Sequence, residues 1–204
     1  MWSYWEMALF LCLASGITQI SAQAADSPKT ASQSLVVPVA PAETLRWFSQ
    51  QWDDTTWTAA RNSMRPADDR GWQVRMLALQ SLVKSDAAAV PVLLKALKGE
   101  DVAQRILAAQ ALSFLSPQVP HQAIADAAKN DSNATVRLYA ADTLGMQGNI
   151  DSSQLLKQLH ENETNRDVRW HLRYALERGS HAVSQAMVEK LRAWDPARLA
   201  SATI

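Results

Sequence analysis

The chain has 204 residues, 48% of them hydrophobic, and its 20 basic and 20 acidic side chains cancel. That is enough apolar material for a sizeable core, while the balanced charge excludes the basic field that nucleic acid or an anionic membrane surface requires. Six glycines and three phenylalanines argue against a β-rich fold, and one cysteine excludes a disulfide framework.

Taken in chain order, Met7 to Gly16 is an apolar run of signal-peptide length, followed by the small-x-small site Ala22-Gln23-Ala24. Residues 1–24 are therefore expected to be a signal peptide, and the mature protein to be periplasmic or extracellular. The stretch Met1 to Glu6 carries no Lys or Arg; initiation at Met7 would explain that. A membrane span needs about 20 apolar residues, and Ser15, Thr18, Gln19 and Ser21 interrupt this run, so no stable anchor is expected after cleavage. Cys12 follows Leu9-Phe10-Leu11 instead of the small residues of a lipoprotein signal, and its removal leaves a mature chain without a thiol.

Residues 25–41, rich in Ala, Ser and Pro, read as a tether. Over 42–66 the apolar spacing of Leu45, Trp47, Phe48, Trp52, Trp57, Ala60 and Met64 suggests two short helices ended by Pro66. Trp47, Trp52, Trp57 and Trp72 lie in or beside this stretch, which is either an aromatic binding surface or a cap over the open end of a stack. The cap is preferred, because the end of a stack must be covered for solubility.

From 67 to 194 one phrase recurs four times: an arginine, a small or apolar residue three on, and leucine seven on. It reads Arg75-x-x-Ala78-x-x-x-Leu82, Arg105-x-x-Ala108-x-x-x-Leu112, Arg137-x-x-Ala140-x-x-x-Leu144 and Arg169-x-x-Leu172-x-x-x-Leu176. Twenty-two residues after each arginine stands Leu97, Ala127, Leu159 or Leu191. A period of roughly 20 to 50 residues built from two helical patterns marks a stack of hairpins, none able to bury its apolar face alone. The repeats run about 68–99, 100–130, 131–162 and 163–194, each with an A helix and a B helix, and 195–204 is a C-terminal tail.

Local chemistry supports the helices. Pro91 suits a first helical turn, Pro117 and Pro120 stop one helix and start the next, and Asp131-Ser132 and then Asp151 or Ser152 offer N-terminal caps. Gly145 and Gly148 are read as a turn. In the last repeat His171 and Arg173 replace apolar or small residues, as an end without a neighbour would allow. Met187, Val188 and Leu191 would then stay under-covered unless Leu199 and Ile204 fold back.

The recurring string, clearest from Thr135 to Leu144 (TVRLYAADTL), resembles the HEAT-like repeats of the phycobilisome-lyase type. The resemblance implies an all-α, right-handed α-solenoid of about four helical hairpins with an N-terminal helical cap. It also implies a ladder in which an arginine and a loop acid tie neighbouring repeats, matched by Arg75, Arg105, Arg137 and Arg169 with Asp69, Asp101, Asp131 and Asp167. In a relative of this fold, deoxyhypusine hydroxylase, recurring His-Glu pairs hold two irons; here only His160-Glu161 is of that kind.

No Gly-rich phosphate loop, His-Glu-x-x-His or Gly-x-Ser-x-Gly occurs, so no catalytic residue, metal site or cofactor is assigned. Arg166, Arg169 and Arg173 share one stripe of the last A helix. Arg166 and Arg173 with Trp170 are the candidate partner-binding residues, suited to a carboxylate or an acidic peptide. The expected function is an exported, non-catalytic scaffold that binds a protein or peptide on a face lined by B helices, with self-association through the solenoid ends possible. The competing reading is a lyase-like or accessory domain serving a chromophore or a larger secreted enzyme.

Overall fold

The computed structural model describes residues 35–52, 70–177 and 181–195. Within them the chain forms nine α-helices, two short 3-10 turns and no strand. Helix α1 (Pro41–Gln51) precedes four A helices, α2 (Arg70–Lys84), α4 (Val102–Phe114), α6 (Ala134–Gln147) and α8 (Arg166–Glu177). These alternate with α3 (Val90–Leu97), α5 (His121–Asn130), α7 (Ile150–Asn162) and α9 (His181–Ala193). Residues 1–34, which hold the expected leader and most of the tether, lie outside the described residues, as do Asp69, Trp57, Leu199 and Ile204. No single described helix is long and apolar enough to cross a membrane.

The A helices pack side by side in chain order, α2 on α4, α4 on α6 and α6 on α8. The intervening helices lie against the A helix that follows them: α3 on α4, α5 on α6 and α7 on α8. An inner A helix is therefore covered on several sides. In α4, Ala103 and every residue from Ile106 to Phe114 are buried, which the single apolar stripe read from the sequence understates. Alanines at 103, 108, 109 and 111 make this possible, because small side chains let neighbouring helices approach.

Each helix start has its own chemistry. Asp101 caps α4 by accepting the Gln104 N–H at 3.0 Å. At α6 the cap is Asn133, which accepts from Thr135 and Val136; the expected Asp131 sits two residues earlier and accepts the Asn133 N–H at 2.8 Å. Likewise α7 is capped by Asn149, whose side chain takes the Ser152 N–H at 2.7 Å, and not by Asp151 or Ser152. Gly148 ends α6 in the left-handed region at φ 62°. Gly145 is no turn residue: it lies inside α6, where a Cβ would come within 2.7 Å of the Ala175 Cβ on α8.

Helix α1 packs on α2, α3 and α4, over the first repeat. Leu45 and Phe48 enter the core, Trp47 and Trp52 pack partly buried against it, and the Phe48 and Trp52 rings meet at 5.5 Å. The hydroxyls of Thr44 and Ser81 both donate to the Pro38 carbonyl, at 2.7 and 2.8 Å, which joins this segment to α2. These placements suit an end cover.

The last described helix departs from the hairpin scheme. Helix α9 packs across α2, α4 and α6. Leu191 is thereby fully buried and Trp194 nearly so, while Met187 and Val188 pack partly buried against the core. Their cover comes from the A helices. Two polar ties fix the far end: Gln80 on α2 donates to main-chain carbonyls of Leu191 and Arg192 at 3.1 and 3.4 Å, and to that of Trp194. Arg192 also pairs with Asp86 at 3.0 Å.

Candidate functional site

Among the described residues, Arg105 and Arg137 form closed ion-pair joints. Arg105 reaches Asp131 with Nε to Oδ2 at 3.0 Å and Nη2 to Oδ1 at 3.5 Å, while its Nη1 donates to the Gly99 and Glu100 carbonyls. Arg137 meets Glu163 through Nε at 2.9 Å and Nη2 at 3.0 Å, with Nη1 on the Asp131 and Ser132 carbonyls. The carboxylate comes from the loop before the next A helix, 26 residues on in both cases. Pairing within one repeat, of Arg137 with Asp131, is not what the structure shows, and Glu163 takes the place expected of Asp167 in the loop before α8.

The loops explain the change. In Asp131-Ser-Asn133 and Glu163-Thr-Asn165, the acid accepts an N–H two residues later, from Asn133 at 2.8 Å and from Asn165 at 2.8 Å. Each Asn then caps its helix, Asn165 by accepting from Asp167 and Val168. The acid is thus fixed by its own loop and presents its remaining oxygen capacity to the earlier arginine. The Arg137 hydrogen bond is the chief reason that the Glu163 carboxyl lies below its ordinary value, with the Asn165 N–H adding to it against the opposing effect of burial.

The two end arginines differ. Helix α2 begins five residues before Arg75, whereas α4, α6 and α8 each begin three before their arginine. Arg75 reaches the Tyr139 hydroxyl at 3.4 Å. Asp101 is engaged by α1: it accepts from the Ser49 hydroxyl and from both Gln104 nitrogens. Burial pushes the Asp101 carboxyl upward, and these hydrogen bonds, the one from Ser49 foremost, outweigh it and leave the group below its ordinary value. Arg169 is exposed at the other end.

On the A-helix side a cleft opens between α4, α6, α8 and α9, lined by Gln110, Tyr139, Asp142, Trp170, His171 and Met187 among others. Trp170 and Tyr174, one helical turn apart on α8, stack with ring planes 2° apart and centroids 5.7 Å apart. The His171 ring meets Trp170 edge-on at 5.1 Å, and its Nδ1 lies 3.3 Å from Asp142 Oδ1. His171 is therefore a buried, paired residue, at 9% exposure, and not the open-end polar substitution the sequence suggests. Trp170 occupies the slot that Met76, Ile106 and Leu138 fill in the earlier repeats. Those three are buried; Trp170 is 40% exposed, with no described A helix packed over it.

Of the expected partner-binding residues, only Trp170 belongs to this cleft. Arg166 and Arg173 are exposed, and Arg173 makes a long 3.8 Å pair with Glu177 one turn on. Such a pair is worth little energetically. Sequence reasoning missed Gln110, Asp142 and His171 as members of one cleft, although Gln110 and Asp142 each stand five residues after a repeat arginine.

A Ser–His contact exists elsewhere and is structural. Ser152 Oγ and His121 Nδ1 lie 3.2 Å apart, and Gln147 Oε1 bridges both at 3.3 and 3.2 Å while its Nε2 donates to the Val119 carbonyl. Ser152 is fully buried, so no substrate reaches its hydroxyl; the cluster ties α5, α6 and α7 together. Among the described residues, no three His, Cys, Asp or Glu side chains converge as a metal site would require.

The sequence matches a known family over residues 90–177, the family described as HEAT repeats. No curated protein matches the chain. The match spans α3 to α8, the segment in which the Arg105–Asp131 and Arg137–Glu163 joints and most of the cleft lie. Helical hairpins packed in chain order and this match together support a HEAT-like repeat architecture over residues 90–177.

Proposed function

We propose that this protein is an exported scaffold that binds another protein or peptide and has no catalytic activity of its own. The observation that carries the reading is the run of HEAT repeats over 90–177, since stacked repeats create extended binding surfaces without requiring a reaction centre. The A-helix cleft, with an aromatic stack beside buried polar groups, adds chemistry suited to recognition. The surface favoured is this one, in place of the B-helix face. Export is supported by the apolar run Met7–Gly16 with the small-x-small site at Ala22–Ala24.

Affinity capture with the mature chain, followed by mass spectrometry and cross-link mapping, tests the binding function. A partner cross-linked to α4, α6 or α8 is expected; turnover by the purified protein would remove the non-catalytic part. Fusion of residues 1–30 to a reporter that is active only after translocation tests export, and an inactive, uncleaved fusion would refute it.

A further inference from the structure

The position five residues after each repeat arginine is occupied by Gln80, Gln110, Asp142 and Tyr174. The first three are polar side chains buried on consecutive A helices, at 6%, 1% and 8% exposure. A buried polar group without a partner is costly, so each needs one. Gln80 finds main-chain carbonyls: its Nε2 donates to Leu191, Arg192 and Trp194 at the end of α9, where the last helical carbonyls have no N–H four residues on within the helix. Asp142 finds His171. Gln110 finds nothing, for neither its Oε1 nor its Nε2 has a hydrogen-bond partner.

The difference between Gln80 and Gln110 has a geometric cause. Helix α9 crosses both α2 and α4. Gln80 meets the frayed end of α9, but Gln110 shares its cleft with Met187, from the interior of that helix, where carbonyls are already used by the N–H groups four residues on. A helix can satisfy one amide of this row and not the next. A chain in extended conformation, whose peptide groups are unpaired, can.

We infer that the Gln110 cleft binds the main chain of a partner polypeptide in extended form. One residue of the partner, whose N–H and C=O point to the same side in an extended chain, donates its N–H to Oε1 and receives the Nε2–H at its carbonyl oxygen. The adjoining Trp170–Tyr174 stack takes an apolar or aromatic side chain of the same segment. An extended residue fits because its N–H and C=O offer a donor and an acceptor on one side; an inorganic anion would satisfy only Nε2 and would face the Asp142 carboxylate in the same cleft. Both amide atoms of Gln110 are out of solvent contact, so the segment enters by displacing cover, and Met187, with three rotatable bonds, is the α9 side chain in the cleft. The inference rests on the scaffold reading and specifies its site.

The test is selection of a random dodecapeptide phage library on the mature full chain, then affinities of the synthesised peptides for wild type, Gln110→Leu and Trp170→Ala. Gln110→Leu removes the unpaired amide and is expected to leave the protein at least as resistant to urea. Against that background, peptide affinity is expected to fall tenfold or more in both variants. N-methylation at one peptide position should cause a similar loss in wild type and little further loss in Gln110→Leu. Peptides that bind Gln110→Leu within twofold of wild type, or no selected peptide at all, would overturn the site. The scaffold reading survives such a result when affinity capture still yields a cross-linked protein partner, and fails with it when capture is empty as well.

Discussion

Breaking the joint between Arg137 and Glu163 should uncouple two repeats, and the size of the effect follows from its geometry. The guanidinium meets the carboxylate through two near-parallel bonds of 2.9 and 3.0 Å, with the side chains only 17% and 11% exposed. Exposed pairs contribute about 0.2–1 kcal/mol, whereas removing one partner from a fully buried pair costs about 3–5 kcal/mol. A mostly shielded, bidentate pair lies between, and a coupling energy of about 2 kcal/mol is expected. The assay is a double-mutant cycle of Arg137→Met and Glu163→Gln followed by urea unfolding. The bonds of Arg137 Nη1 to the Asp131 and Ser132 carbonyls are lost on both sides of the cycle and cancel. The cycle for Arg105 and Asp131, where one of the two bonds stretches to 3.5 Å, should give a smaller coupling, about 1 kcal/mol. A coupling for Arg137 and Glu163 below about 0.3 kcal/mol, the level at which independent sites add, would refute the joint as a source of stability. So would a stronger coupling of Arg137 to Asp167.

Four further outcomes are expected. Because the folded Glu163 carboxyl lies below its ordinary value of 4.5, its contribution is fully present above that pH and is lost as pH falls through the lower folded value; Glu163→Gln should flatten that part of a stability-against-pH curve measured by urea unfolding. Gly145→Ala should destabilise by about 1 kcal/mol in the same assay, since a helix-propensity gain of about 1 kcal/mol is outweighed by forcing α6 off α8, where overpacking costs about 1–3 kcal/mol; placing it on an Ala175→Gly background should reverse the sign. Gln80→Ala should remove a donor from the α9 carbonyls and speed hydrogen exchange over residues 185–195, while unchanged exchange would show that α9 is held without Gln80, by apolar contacts and the Arg192–Asp86 pair. Asn149→Ala should cost about 1 kcal/mol as a lost helix cap, with Asp151→Ala near neutral in comparison.

The repeat itself was legible because burial demands periodicity: the leucine seven after each arginine, at 82, 112 and 144, is fully buried. The acid of each joint was harder to see, since loop acids were sought near their own arginine. The signal was nevertheless present: Asp101, Asp131, Glu163 and Asp195 each stand 26 residues after a repeat arginine, a constant distance that reading one repeat at a time conceals. Caps slipped by two residues because Asp131 and Asn133 are both competent, and only the arginine arriving from the previous repeat decides that Asp131 is taken. The cleft was not legible at all. Whether Gln110 is paired or stranded depends on which part of α9 lies across it, and α9 packs across α2, α4 and α6 at once, a fact about neighbours and not about its own sequence.

An open row of repeats behaves as a spring that lengthens by a unit without disturbing its ends. Here the last described helix returns to the first described A helix and is fastened by Gln80 and by Asp86 in the turn that follows it, so the row is clasped like a bracelet. A unit spliced in between α5 and α6 would carry the clasp out of reach, and shortening the chain at either end would loosen the other. The clasp should make the described hairpins resist unravelling in a way that an unclasped array of equal length would not.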